Sequence, residues 1–299
     1  MTQLNVNGLQ IEYDTFGDPK DDPMLLIMGL GTQMTAWSPE FCNGLAGHGH
    51  YVIRFDNRDV GLSTKFDGAY TPGRLRYVFN HILGTSLRAP YSLEDMAVDA
   101  AGVLKALDVD SAHVVGASMG GMIAQLLTLR HPHRVKSLTS IMSSSGAPGL
   151  PPARPEVIQH VFKNRPNTGN VEERLEYMVR SIQLIGSPGY PRDVDELREL
   201  VRASLERSFY PQGFGRQLAA IVADGSRVKR LAKIDKPVLV IHGRDDPLVP
   251  VECGIDTANR INGAKLEIIE GMGHDLPPQL VDRLTSLIVS HAREVDNLH

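Results

Sequence analysis

A strand-like run that meets a Gly-x-Ser-x-Gly pentad is the feature that most constrains how this chain folds. Residues 113–115 are typical of a strand, residues 116–120 read Gly-Ala-Ser-Met-Gly, and residues 122–127 are apolar on nearly every helical face. A strand and a buried helix this close together in the chain must be joined by a sharp turn. Glycine is needed in such a turn because a Cβ there would collide with neighbouring backbone atoms. The turn strains the serine backbone by about 1 to 3 kcal/mol, and such strain is usually kept where it has a use. We predict that Ser118 is a nucleophile rather than part of a Gly/Ser-rich loop.

Composition and charge argue against several classes of function. The 299 residues carry a net charge of −4, and the 31 basic residues are scattered among 35 acidic ones. Neither a nucleic-acid partner nor a basic membrane patch is expected from that pattern. Cys42 and Cys253 cannot form a disulfide framework and lack a surrounding His or Cys cluster, so we expect buried free thiols and no metal site.

The sequence also predicts where the protein resides. The first residues lack the basic start and apolar core of a signal peptide, which predicts a cytoplasmic protein. The apolar run 112–129 contains three glycines and Ser118, and a buried strand and helix explain it better than a transmembrane span. No membrane association is predicted.

Strand and helix patterns alternate along most of the chain. Residues 9–16 alternate between apolar and polar, as expected of a strand at a sheet edge, whereas residues 24–28 are apolar throughout, as in a central parallel strand. Ser92 caps a predicted helix whose apolar residues follow helical spacing. Further strands are expected at 51–55, 112–116, 136–142, 237–242 and 265–269. The pattern predicts an α/β fold, with a mainly parallel central sheet and helices on both faces.

The alternation is interrupted between residues 143 and 228, where no strand is convincing. Proline and glycine separate helical pieces there, at 155–163, 171–185, 193–208 and 214–223. We predict a helical cap at 146–227, inserted after the sixth strand between two parts of one core, 1–145 and 228–299. Residues 64–91 contain several glycines and prolines and are expected to form a long, partly helical excursion.

A serine nucleophile needs a base, and the base needs an acid that orients it. Both are expected downstream, in loops at the carboxyl ends of later strands. His274 lies in a glycine-flanked loop after the last strand and is predicted to be the base, with His242 as its nearest rival. Asp246, three residues after Gly243, is predicted to be the acid in preference to its neighbour Asp245.

The attack on a carbonyl creates an oxyanion, which backbone N–H groups must stabilise. The N–H of Met119, directly after the nucleophile, is predicted to be one donor. The second is expected in the loop after the strand that ends at Met28, and we choose Leu30 over Gly29 and Gly31.

Together these motifs resemble the α/β-hydrolase fold superfamily over essentially the whole chain. Residues 116–120, 243–246 and 273–274 occur in the family's order and at its places relative to the strands. Residues 56–63 resemble the family's Asp-x-Arg-x-x-Gly-x-Ser loop, which is usually structural.

A closer resemblance is to the branch that contains aclacinomycin methylesterase, which hydrolyses carboxylic methyl esters. The motifs that carry it are Met28-Gly29, where many other members of the superfamily have His-Gly, and residues 54–59, 112–116 and 271–277. The cap matches that branch only in position and helical character.

We therefore predict a serine carboxylesterase acting through an acyl-enzyme on a small or medium carboxylic ester. Serine at position 118 disfavours the family's haloalkane dehalogenases and epoxide hydrolases, which need an aspartate there. The alternatives are a carbon–carbon bond hydrolase acting on a diketone-type ring-cleavage product and a slow-turnover ligand receptor. No cofactor or metal is implied, and the oligomeric state stays open, with a homodimer as one option.

The cap contains apolar side chains that could roof the active site or simply pack its helices together. These residues are Phe162, Tyr177, Met178, Ile182, Leu184, Phe209 and Phe214.

Overall fold

The computed structural model describes residues 2–73, 87–163 and 170–297. The expected excursion at 64–91 therefore lies partly outside the described residues, as does the side chain of Phe162. Eight strands form one sheet in the order β1-β2-β4-β3-β5-β6-β7-β8. They are β1 (Thr2–Val6), β2 (Leu9–Phe16), β3 (Asp22–Ile27), β4 (His50–Phe55), β5 (Ala112–Ala117), β6 (Val135–Ile141), β7 (Val238–Gly243) and β8 (Lys265–Ile269).

The sheet is parallel from β4 to β8, and only β1 and β2 run antiparallel to their neighbours. The predicted mainly parallel sheet is thereby confirmed. The expectation that residues 9–16 form the sheet edge was wrong, because β1 pairs along the outer side of β2. Asn7 and Gly8 connect these strands with φ values of 52° and 80°, and an Asn-Gly pair of that conformation favours a tight hairpin.

Helices cover both faces of the sheet. The longer described helices are α1 (Pro39–Ala46), α2 (Leu93–Ala106), α3 (Met119–Arg130), α4 (Val171–Ile185), α5 (Val194–Arg207), α6 (Pro211–Asp224), α7 (Val251–Arg260) and α8 (Val281–Asp296). One hydrophobic core contains side chains of α2, α3 and α7, and a second contains those of α1 and α8. Leu25 and Val114 face the first core, while Leu26 and Val115 face the second, as the alternation of strand side chains requires.

Local signals fix where two of the helices begin. Ser92 Oγ accepts a hydrogen bond from the Asp95 N–H at 3.1 Å, and Asp95 Oδ2 accepts one from the Ser92 N–H at 2.8 Å. This reciprocal pair confirms the start predicted for α2. Pro39 occupies the first turn of α1, where its missing N–H costs no hydrogen bond.

Helices α4, α5 and α6 lie between β6 and β7 in the chain. Shorter helical segments flank them at Pro155–Val157, Ile158–Lys163 and Val228–Leu231, of which the second is a π-helix. Helices α4 and α5 share a small core of their own, formed by Leu175, Val179, Leu197 and Val201. This segment therefore packs partly on itself.

Candidate active site

Ser118 occupies a strained turn between β5 and α3. Its backbone has φ 56° and ψ −119°, in the left-handed half of conformational space, and its N–H donates to the Ile141 carbonyl at 2.9 Å. A Cβ on Gly116 would lie 2.2 Å from the Gly120 carbonyl oxygen, and one on Gly120 would lie 2.0 Å from that of Ile27. Both positions therefore require glycine, as the pentad predicted.

Three of the side chains that the sequence analysis singled out are linked by two successive hydrogen bonds. Ser118 Oγ is 3.0 Å from His274 Nε2, and His274 Nδ1 is 2.7 Å from Asp246 Oδ2. Because an ionised carboxylate can only accept, we assign the ring proton to Nδ1, which leaves Nε2 free to accept the serine proton. His274 and Asp246 are buried, whereas Ser118 is half-buried.

The Asp246 carboxylate is held ionised by its surroundings. Burial would raise its pKa, but the charge of His274, the hydrogen bond from His274 and the proximity of His242 outweigh burial and keep the pKa well below its usual range. The backbone N–H groups of Leu248 and Val249 donate to Oδ1 at 2.9 and 2.8 Å. Oδ2 is thereby left for the histidine.

The two rivals considered in the sequence occupy other positions. Asp245 Oδ2 accepts from the Gly271 N–H at 3.0 Å, so its carboxylate fastens the β8 loop rather than the imidazole. His242 is fully buried behind the acid, with Nε2 2.7 Å from the Val249 carbonyl and 3.5 Å from Asp246 Oδ2. His242 therefore supports the loop that carries Asp246, a role that the sequence analysis did not assign.

The segment inserted between β6 and β7 fixes the loop that carries His274. The His274 N–H donates to the Ile185 carbonyl at 2.7 Å, and the Gly273 N–H donates to Ser187 Oγ at 2.9 Å. A Cβ on Gly273 would lie 2.3 Å from the Gly186 carbonyl oxygen. Asp275 accepts a hydrogen bond from Ser187 at 2.5 Å, and burial raises the pKa of this carboxyl despite Ser187 and Arg192.

The loop after β3 brings backbone N–H groups close to the serine. Gly29 lies directly beside Ser118, since a Cβ built on it would be 3.6 Å from Ser118 Oγ. Asn57 Nδ2 donates to the Met28 carbonyl at 2.9 Å, and the Gly31 N–H donates to Gln217 Oε1 at 2.7 Å. The Gly31 N–H is thus already used, so it is not a free donor for an oxyanion.

Residues 56–63 join this loop to the inserted helices. Asp56 accepts from the Met34 N–H at 2.8 Å and is also 2.8 Å from Arg207 of α5. Asp59 receives two hydrogen bonds from Arg216 of α6, at 2.8 and 2.9 Å. These contacts give the loop the structural role that its motif suggested.

The apolar side chains that the sequence analysis listed for the predicted cap lie in different environments. Met178 and Ile182 pack against the small core of α4 and α5, Tyr177 stacks on His160, and the exposed Phe209 lies beside Arg174. Phe214 contacts the loop after β3, because a Cβ on Gly31 would lie 2.8 Å from its ring. Contacts between helical segments therefore account for three of the six described members of the set, namely Tyr177, Met178 and Ile182.

Asp22, His113 and Asp296 form a group of potential metal ligands within the described part of the chain. Asp22 and His113 lie in the amino-terminal parts of β3 and β5, whereas Ser118 follows the carboxyl end of β5. The Lys136 ammonium is paired with Asp22, and His113 Nε2 lies 2.8 Å from the same carboxylate. The group is therefore remote from the serine, and its Asp22 carboxylate is already paired with Lys136.

Residues 22–278 match the model of the alpha/beta hydrolase fold family. Rhodomycin D methylesterase DauP of Streptomyces sp. (strain C5) is 35% identical over 297 residues, and rhodomycin D methylesterase DnrP of Streptomyces peucetius is 33% identical over 296. Each alignment covers 93% of this chain and 93% of the relative.

A meta-cleavage product hydrolase from Pseudomonas fluorescens IP01 has a similar structure, with a TM-score of 0.76. It is 21% identical, and the match covers 98% of each chain, which shows a shared fold.

Across residues 2–73, 87–163 and 170–297, none of the helices is both long and apolar enough to cross a bilayer.

Proposed function

Because this chain belongs to the α/β-hydrolase fold family, we propose that it is a serine carboxylesterase whose nucleophile is Ser118. The contact of 3.0 Å between Ser118 Oγ and His274 Nε2 carries the proposal, since it gives the hydroxyl a base that can take its proton. The named relatives are methylesterases, so we propose a carboxylic methyl ester as the substrate class.

The proposed reaction proceeds through an acyl-enzyme. His274 Nε2 takes the proton of Ser118 as Oγ attacks the ester carbonyl carbon, and the imidazolium then donates that proton to the departing alcohol. A water molecule, deprotonated by His274, attacks the acyl-enzyme, and the imidazolium then returns that proton to Ser118 Oγ as the acyl–oxygen bond breaks and the carboxylic acid leaves. Asp246 keeps the ring proton on Nδ1 and stabilises the imidazolium that forms in each half of the reaction.

The oxyanion is proposed to bind the backbone N–H groups of Met119 and Leu30. Met119 is the first residue of α3, so its N–H belongs to the unpaired amino-terminal turn of that helix. Gly31 is excluded as the second donor by its bond to Gln217, which favours Leu30. Such donors act before and after the acyl-enzyme, because both steps pass through a tetrahedral intermediate.

Residues 146–227 are proposed to form the cap over this site, with 1–145 and 228–299 as the two parts of the core. The contacts of Ile185 and Ser187 with the His274 loop support that division. A cytoplasmic location stays a prediction of the sequence, and a homodimer stays one option for the oligomeric state.

The test compares hydrolysis of p-nitrophenyl acetate, butyrate and octanoate and of an aromatic methyl ester by wild type, Ser118→Ala and Ser286→Ala. Ser286 is an exposed serine of α8 and serves as the matched control. We expect wild type and Ser286→Ala to turn over ester and to form one organophosphonate adduct by intact mass, and Ser118→Ala to do neither.

Turnover that survives in Ser118→Ala, or a wild type with neither turnover nor adduct, would refute the proposal. An adduct without ester turnover would favour the carbon–carbon hydrolase or the receptor. Those two alternatives are distinguished by adding a diketone-type ring-cleavage product and monitoring its absorbance, because the carbon–carbon hydrolase would consume it and the receptor would not.

A further inference from the structure

Gln217 of α6 forms a hydrogen bond between the inserted helices and the part of the loop after β3 that lies beside Ser118, whereas the bonds of Gln33 to Ser204, Arg207 and Ser208 join that loop to the inserted helices further along the chain. Its side chain is fully buried, and Oε1 accepts from the Gly31 N–H at 2.7 Å. At the other end of the amide, Nε2 donates to the Arg58 carbonyl at 2.7 Å. An N–H can only donate and a carbonyl can only accept, so these two partners fix the orientation of the amide.

The helix that carries Gln217 is itself firmly seated on residues 58 and 59. Arg216 makes two hydrogen bonds to the buried Asp59 carboxylate. A Cβ on Gly213 would lie 1.9 Å from the Asp59 carbonyl oxygen, so the backbones of α6 and this loop are in close contact. These contacts of α6 therefore help to hold the Gln217 amide in place, in addition to its own bond with Gly31.

The bond to Gln217 acts on the peptide that follows the proposed oxyanion donor. Gly31 has φ 64° and bears the N–H that is bound, and the peptide plane it shares with Leu30 is thereby oriented. The loop is fixed on the other side of Leu30 by the bond from Asn57 to the Met28 carbonyl. Leu30 thus lies between two anchored peptides.

We propose that Gln217 is a positioning residue for ester hydrolysis: it holds the Leu30 N–H in place for the oxyanion by binding Gly31. The inference rests on the proposed esterase function. It makes a residue of the inserted helices part of the support of the oxyanion hole, although Gln217 lies 186 residues from Gly31 in the chain.

The test uses Gln217→Met, which keeps the length of the side chain and removes both hydrogen bonds, and Gln217→Glu, which keeps the acceptor for Gly31. Gln212→Met makes the same change at an exposed position of the same helix and is the matched control. Steady-state kcat and KM, the inhibition constant of an aryl trifluoromethyl ketone, and the thermal midpoint are measured for each protein.

Direct loss of an oxyanion donor lowers kcat by about 100- to 1000-fold, so a displaced donor should lower it less, by roughly 10-fold in Gln217→Met, with KM changed by less than about 2-fold. The trifluoromethyl ketone should bind more weakly by a similar factor, because it forms the same tetrahedral oxyanion. Gln217→Glu should recover part of kcat, and Gln212→Met should behave as wild type.

An unchanged kcat in Gln217→Met, with ester hydrolysis intact in wild type, would overturn the inference and leave the proposed function standing. Equal losses in Gln217→Met and Gln217→Glu that follow the fall in thermal midpoint would also overturn it, because they indicate a structural role alone. If wild type hydrolyses no ester, the proposed function fails and this inference fails with it.

Discussion

The strain at Ser118 can be measured by comparing two substitutions that both remove the side-chain hydroxyl. Ser118→Gly and Ser118→Ala remove the same hydroxyl and its contact with His274. They differ in the Cβ, which is what makes φ 56° with ψ −119° unfavourable. The difference in their free energies of unfolding therefore reports the backbone strain.

The expected difference follows from three opposing contributions. Relief of strain favours glycine by about 1 to 3 kcal/mol, whereas the greater entropy of the unfolded glycine chain opposes it by about 0.4 to 1 kcal/mol. The half-buried Cβ of alanine contributes less than the ~0.8 kcal/mol of a fully buried methylene. We expect Ser118→Gly to be the more stable variant by about 1 kcal/mol.

Urea unfolding followed by circular dichroism measures this difference as a shift of midpoint at constant slope, of about 0.3 M for a slope near 3 kcal/mol/M. The control pair is Ser286→Gly and Ser286→Ala, at an exposed position inside α8. At position 286 we expect the alanine variant to have the larger free energy of unfolding, since glycine within a helix is about 1 kcal/mol less favourable than alanine. If alanine were the more stable residue at both positions, the strained-turn argument would be refuted.

Two further predictions concern buried charges. Arg216→Met should lower the free energy of unfolding by about 3 to 5 kcal/mol, because it leaves the buried Asp59 carboxylate without its ion-pair partner. In a double-mutant cycle, adding Asp59→Asn should restore part of this loss. Strictly additive effects of the two substitutions would contradict the pairing. Burial, with the charge of Lys265, lowers the pKa of His291 from 6.5 to about 4. As the pH falls, His291 is therefore protonated in the unfolded chain at a higher pH than in the folded protein, which favours unfolding. Wild type should lose up to about 3 kcal/mol of its free energy of unfolding between pH 6.5 and 4. Urea midpoints across that window should fall less steeply for His291→Leu, and parallel profiles would contradict the assignment.

The parts of the site that could be predicted are those with local signals. Ser118 is defined by a strand, two glycines that admit no Cβ and a buried helix, all contiguous in the chain. His274 and Asp246 follow from the rule that parallel strands bring their carboxyl ends to one edge. The choice of Asp246 over Asp245 is harder from sequence, because it depends on which carboxylate the Gly271 N–H engages.

The contacts that could not be predicted join residues far apart in the chain. Gln217, Arg216 and Arg207 lie on helices whose patterns identify them only as amphipathic, and each contacts the core across more than 140 residues. No spacing rule connects such positions, so only the folded structure shows them. The edge hairpin is a different case, since the Asn7-Gly8 signal was present in the sequence and was missed.

Residues 56–59 connect the loop after β3 to the inserted helices. They bind that loop through Asn57 and Asp56, and they bind the inserted helices through Asp56 and Asp59. Movement of α5 and α6 away from the sheet would break the bonds from Arg207 and Gln217 together, and would release Gly31 beside the proposed donor. We therefore expect Arg216→Met to lower kcat as well as stability, in the same direction as Gln217→Met. A full kcat in folded Arg216→Met would show that the seating of α6 does not affect the loop after β3.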